Sequence, residues 1–203
     1  MNIDSMEMFD SATKSWFKQT LGEPTIVQKE AWRSIADGFD TLVSAPTGTG
    51  KTLSAFLVYI DQLMRLARED KLNEELYVIY VSPLKSLAGD IRENLKKPLN
   101  GILGEIIKQE KEEVLGEGKE TDFKEDKLIT QLENQLANKP TNQEMKGNYP
   151  CKLTSVIPSI SIALRTGDTT PAERRQMIKH PPHILITTPE SLYLLLTSKS
   201  GQG

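Results

Sequence analysis

Apolar positions along this chain fall into two kinds of run, one at helical spacing and one short and continuous. Phe9, Ala12, Trp16, Phe17 and Leu21 recur at three- and four-residue steps and predict a helix over 9–21. A second helix is predicted to start at Thr25, in the stretch TIVQ. There the Thr25 side chain can take an amide three residues on while Gln28 reaches back, a capping box. Its apolar face runs through Val27, Ala31, Trp32 and Ile35, and Gly38 is a natural stop. The run DTLVSA (40–45) is short, apolar and partly β-branched, and predicts a strand. After it, Leu53, Phe56, Leu57, Ile60, Leu63 and Met64 predict a helix with a wide buried face.

The second half repeats this alternation. LYVIYVS (76–82) is a continuous apolar run, as expected of a strand buried on both faces. SLAGDIRENL (86–95) returns to helical spacing, and SISIALRTGD (159–168) predicts a strand running into a glycine turn. TPAERRQMI (170–178) carries a strong helix start, with Thr170 as cap, Pro171 in the first turn and Glu173 completing the box. HILITT (183–188) predicts another buried strand, and PESLYLLL (189–196) a further helix. Strand and helix in alternation predict a parallel sheet with helices on both faces, an α/β fold.

Residues 101–150 break the pattern. Seven lysines against eleven Asp and Glu give this segment a local charge of −4, leaving +1 for the rest of a chain whose net charge is −3. With Gly104, Gly116, Gly118 and the breaker-rich ANKPTNQEMKGNYP, it has room for short helices over 102–115 and 124–137 but little of an independent core. It reads as a solvated insertion or lid. At 203 residues and 37% apolar, the chain can bury a sizeable core around it. The overall charge gives no global basic footprint, although a local stripe can hide in a neutral total. Cys151 is the only cysteine, which excludes an intrachain disulfide, and His180 and His183 flank two prolines as loop histidines rather than zinc ligands. The acidic start MNIDSMEMFD lacks signal-peptide order, and no apolar run reaches the roughly 18 residues of a membrane span. A cytoplasmic setting with no membrane partner is expected.

The candidate chemistry lies in SAPTGTGKT (44–52), between the expected strand and helix. Gly48 and Gly50 allow backbone amides to turn inward around phosphates without a side-chain clash. Lys51 can reach the outer phosphates, the Thr52 hydroxyl can take a magnesium position, and the next helix aims its amino terminus at the same anion. The pattern departs from G-x-x-x-x-G-K-[ST] only at its first glycine, here Ala45. The plain alternative is a glycine turn between strand and helix.

The block APTGTGKTLSAFL has the A-x-T-G-x-G-K-T form of superfamily 2 helicases. SPLKSLAGDIRENL, RTGDTTPAERRQM and PPHILITTPESLYLLLTS follow in that family's order. From about Trp16 to Ser200, outside 101–150, the chain resembles the large helicase-related (Lhr) group of ATP-dependent helicases. The resemblance implies a RecA-like P-loop domain, partial over residues 1–203 and with 101–150 as a charged insertion. It implies that Thr47, Gly48, Thr49, Gly50, Lys51 and Thr52 bind ATP, with Mg2+ at Thr52, and that Gln28 reads the adenine edge. Gln28 serves equally as the cap of its own helix. Pro83, Leu84 and Lys85, then Thr166, Gly167 and Asp168, then Thr188, Pro189, Glu190 and Ser191 resemble blocks that touch the nucleic-acid strand. Their plain alternatives are a turn with a solvated lysine, an ordinary loop and a helix cap. Arg174 and Arg175 read as solvated.

The family pairs its phosphate loop with a D-E-x-H block at the end of an apolar strand, whose acids hold magnesium and activate water. Neither LYVIYVS nor HILITT ends in an acid here, and the pairs Glu74–Glu75 and Glu112–Glu113 suit no strand ending. The resemblance therefore implies a piece truncated before the D-E-x-H strand and inactive alone, whose partners are ATP, single-stranded DNA or RNA, and the rest of a helicase chain, with a DNA-repair role for the parent. The rival readings are a non-catalytic nucleotide-binding or nucleic-acid-binding remnant and a piece of an RNA helicase. Missing later strands would leave an unfilled sheet position with exposed edges, and hence an unstable or aggregation-prone fragment.

Overall fold

The computed structural model describes residues 5–46, 48–116 and 160–198. Thr47, Cys151 and the expected helix over 124–137 lie outside them. The described chain runs α1 (Ser11–Leu21), α2 (Ile26–Ala36), α3 (Lys51–Arg68), β1 (Val78–Val81), α4 (Lys85–Gly116), β2 (Ile162–Arg165), α5 (Pro171–Lys179), β3 (Ile184–Thr187) and α6 (Pro189–Thr197). The three strands form one parallel sheet in the order β1-β3-β2, with Tyr80 and Leu164 flanking Ile186 in register. β3 is the central strand and is buried along its whole length, as its unbroken apolar run requires.

Local signals set the helix ends. Thr25 and Thr170 each complete the capping box, side chain to third amide and third side chain back to the cap. Gly38 ends the α2 region with φ at 78°, a left-handed backbone that glycine adopts without penalty. The core gathers the apolar faces of the first four helices and the sheet, with Trp32, Phe17, Leu57, Ile60, Ile102, Ile106, Ile184 and Ile186 almost wholly enclosed. Trp32 meets Phe9 and Phe17 edge-on, at centroid distances of 4.9 and 5.4 Å.

Three expectations are corrected here. The first concerns 101–150. Residues 101–116 are the second half of α4 rather than the start of a solvated insertion, and Ile102, Leu103, Ile106 and Ile107 are buried. Net charge concealed their i, i+1, i+4, i+5 apolar stripe, which seats α4 against α1. The second concerns residues 40–45, which form no strand. Leu42 is 94% exposed, and no described strand lies beside the segment. A β-prone run becomes a strand only when a neighbour supplies its ladder bonds. The sheet is also open at β1, where Ile79 and Val81 remain 45% and 40% exposed, so that strand is covered on one face and not on both.

His183 is more than a loop residue. It lies buried at the entry to β3, where its Nδ1 accepts the Ser161 amide at 2.9 Å. The ring proton therefore sits on Nε2, which donates to the Asn73 carbonyl at 3.1 Å. Burial lowers its pKa, against the opposing pull of the Asn73 carbonyl and the Glu74 charge. The unfolded chain thus binds this proton more readily than the folded one. The stability conferred by the neutral ring is fully present above the ordinary value of 6.5 and is lost as the pH falls from there towards the lowered folded value. Urea denaturation at about pH 7.5 and about pH 5.5 should show this loss, and His183→Asn should reduce the difference between the two midpoints.

Candidate nucleotide and nucleic-acid site

The glycine-rich loop keeps the conformation its sequence requires. Gly48 and Gly50 have φ of 83° and 81°, and Gly50 is the left-handed residue from which α3 departs. Among the described residues, no backbone acceptor takes the amides of Gly48, Gly50, Lys51 or Thr52. The first bond of α3 back to the loop is from the Ser54 amide to Gly50 O, at 2.9 Å. Among the described residues, the loop thus has donors without a backbone partner at a helix amino terminus, the arrangement that receives a phosphate. The ammonium of Lys51 is folded over the loop, donating to the carbonyls of Ala45 and Pro46. Thr49 Oγ1 also holds Pro46 O, at 2.8 Å, and Thr52 stands exposed in the first turn of α3. Among the described residues, these fit a nucleotide's phosphates: amides with no backbone partner, an adjacent cation and a hydroxyl with no hydrogen-bond partner.

Gln28 joins this loop to α2. Its Oε1 accepts from Thr25 N at 2.9 Å, and a Cβ on Gly50 would meet its Nε2 at 2.4 Å. Thr25 Oγ1 in turn donates to Thr49 O at 3.3 Å. Gly50 is therefore held as glycine by its left-handed backbone, and an added Cβ would also have to push the end of the Gln28 side chain aside. Gly50→Ala should cost about 1–2 kcal/mol from the backbone alone and displace Gln28. A lowered melting temperature, partly restored by adding Gln28→Ala, is the expected outcome.

The other predicted residues meet at the carboxyl ends of the strands. Pro83, Leu84 and Lys85 are exposed between β1 and α4, beside buried Ser82, whose amide bonds Thr187 O at 2.8 Å. Thr166 is buried after β2, with its amide on Thr169 Oγ1 at 2.8 Å, while Gly167 and Asp168 are exposed. After β3, Thr188 and Ser191 are buried and turned to each other, Thr188 Oγ1 receiving the Ser191 amide at 3.4 Å. Pro189 and Glu190 are exposed beside them. An ion pair joins Lys85 to Asp168. Among the described residues, no hydrogen bond or ion pair links this edge to the glycine-rich loop. Sequence reasoning did not find Thr25 as a loop contact, because a capping box gives no sign that its hydroxyl also bonds elsewhere.

A groove of about 710 Å³ lies at the far end of α3, lined by Asp10, Arg65, Arg68 and Glu110 among others. Its cations are already spent: Arg65 pairs with Asp61 at 2.8 Å, and Arg68 with Asp10 and Glu110 at 3.2 and 3.6 Å.

Residues 25–138 match the DEAD/DEAH box helicase profile, across both the glycine-rich loop and the block at Pro83–Lys85. The chain belongs to the DEAD/DEAH box helicase family. It is 39% identical over 199 residues to the Lhr helicase/probable uracil glycosylase of Mycolicibacterium smegmatis, covering 98% of this chain and 10% of that protein. It is 36% identical over 192 residues to the ATP-dependent helicase Lhr-Core of Methanocaldococcus jannaschii, covering 95% of this chain and 18% of that protein. Among solved structures it is similar to the Mycobacterium smegmatis helicase Lhr bound to ssDNA and AMP-PNP, with a TM-score of 0.69 and 36% identity. That match covers 98% of this chain and 19% of the larger one. The chain thus spans between about a tenth and a fifth of the length of these Lhr relatives. The RecA-like helicase fold expected from the sequence is the fold of the matching structure. No helix among the described residues is long and apolar enough to cross a membrane.

Proposed function

We propose that this chain is part of the first motor domain of an Lhr-type ATP-dependent helicase, holding ATP at the loop from Thr47 to Thr52 and touching single-stranded DNA at the strand ends. The observation that carries this reading is the set of amides at Gly48, Gly50, Lys51 and Thr52 that no backbone acceptor takes among the described residues, with the Lys51 ammonium beside them. Mg2+ belongs at the Thr52 hydroxyl and would neutralise phosphate charge there. Gln28 can meet the adenine edge from its buried seat, since its Oε1 has a second lone pair beyond the one given to Thr25. At the sheet edge, Lys85 and the exposed turns at Pro83 and Gly167 suit phosphate oxygens. Thr188 and Ser191 act there by shaping the start of α6, because their hydroxyls bond each other at 3.3 Å.

The sequence holds no adjacent acids and histidine closing an apolar strand. This chain by itself is therefore expected to hold ATP without turning it over, and hydrolysis coupled to strand movement belongs to the longer protein. Titration with a fluorescent ATP analogue and Mg2+, followed by labelled oligo-dT and oligo-U, tests both halves of the reading. Saturable analogue binding and salt-sensitive oligonucleotide binding are expected. Absence of analogue binding at millimolar concentrations would refute the nucleotide site. Preference for oligo-U over oligo-dT would move the assignment to RNA.

A further inference from the structure

Two of the exposed charges at the sheet edge, Lys85 and Asp168, are spent on each other, although they come from opposite sides of the central strand. Lys85 follows β1 and Asp168 follows β2, and β3 lies between them in the order β1-β3-β2. Two strand spacings are about 10 Å, so the lysine must extend across the exit of β3 to reach the carboxylate. The pair thus spans the exit of β3, which leads into α6, where Thr188 and Ser191 are buried. Its members remain open to water, with side chains 56% and 71% exposed. The Asp168 turn is held in place independently, through Thr169 Oγ1 on the Thr166 amide and Arg174 Nη2 on Gly167 O at 3.2 Å. Its carboxylate is therefore presented by a fixed turn and does not hold that turn together.

We propose that Asp168 is a built-in stand-in for a nucleic-acid phosphate, which occupies Lys85 while the edge is empty and must be displaced when a strand binds. This rests on the strand-binding reading above and changes the role of Asp168 within it, from a contact to a competitor. A carboxylate offers an ammonium the same kind of charged oxygen that a phosphate does. An exposed pair of this kind is weak enough for a polyanion to open. The arrangement lowers affinity for isolated anions and favours a ligand that brings several phosphates along the edge at once. Displacement also leaves Asp168 to recover a counterion, so fewer ions are released per strand bound than the number of cations at the edge would give.

The test uses the 203-residue chain and labelled oligo-dT, with anisotropy titrations over a range of salt. Asp168→Asn keeps the side-chain size and removes the charge. It is expected to tighten binding about two- to fivefold at low salt and to steepen the slope of log K against log salt by up to about 0.7. The same substitution on a Lys85→Ala background should give neither change, which a purely structural Asp168 would not produce. Weaker binding by Asp168→Asn, or an equal gain with and without Lys85, overturns the competitor role and leaves the strand site intact. Lys85→Ala alone should weaken wild-type binding. If none of the four proteins binds oligo-dT, the strand-binding reading falls and takes this proposal with it.

Discussion

Gly101→Ala is expected to destabilise the protein by about 1–3 kcal/mol, although alanine is the better helix former. Gly101 lies within α4 at the crossing with α1, and an added Cβ there would stand 2.0 Å from Trp16 Nε1 and 2.3 Å from Trp16 Cδ1. The indole is 8% exposed and packs beside Phe17, with ring centroids 6.4 Å apart, so it cannot swing away without opening the contact between the helices. Gly104 supplies the control. It lies in the same helix with nothing within 4 Å of its would-be Cβ. Gly104→Ala should therefore stabilise by about 0.5–1 kcal/mol. The same chemical change then has opposite signs at positions three residues apart. Urea midpoints for the two variants settle it, and a stabilised Gly101→Ala would mean that α1 does not cross α4 there.

That crossing also marks where the sequence stops being legible. Both capping boxes could be read in advance, because a capping box is local: Thr25 with Gln28 and Thr170 with Glu173 form within one turn, whereas the lone Asp10 cap of α1 was not read. The buried strand Ile184–Thr187 was legible as well, since a strand covered on both faces must be apolar throughout. What failed depended on distant partners. Residues 40–45 have strand composition, but a strand also needs a neighbour, which composition does not encode. The stretch 101–110 looked solvated because it was counted with the charged residues of 111–150, while its own isoleucines and Leu103 form one narrow stripe that only α1 makes useful. Gly101 itself gave no sequence signal of the tryptophan above it. In the site, the loop was legible from its own glycines. The Lys85–Asp168 pair was not, since it joins turns more than eighty residues apart in the chain.

Lys51→Ala should reduce affinity for an ATP analogue by about ten- to a hundredfold, from a charge-assisted bond worth about 1.5–3 kcal/mol. In the structure the ammonium rests on the carbonyls of Ala45 and Pro46, which are neutral acceptors at the rim of the loop. A triphosphate offers charged oxygens to the same group, so the lysine gains by exchanging partners when the nucleotide arrives. The loss on truncation should therefore grow with phosphate number, being largest for the triphosphate and near zero for adenosine. Folding should change little, because the lysine is only half-buried and the left-handed turn at Gly50 and the Ser54–Gly50 bonds persist without it. Titrating adenosine, ADP and the ATP analogue against both proteins separates a phosphate lysine from one that merely braces the loop. A bracing role would weaken all three ligands alike, and equal affinity of wild type and variant for the triphosphate would remove Lys51 from the site. A graded loss would tie the glycine-rich loop to the phosphate end of the nucleotide, leaving the adenine end to the α2 side of the loop, where Gln28 packs against Gly50.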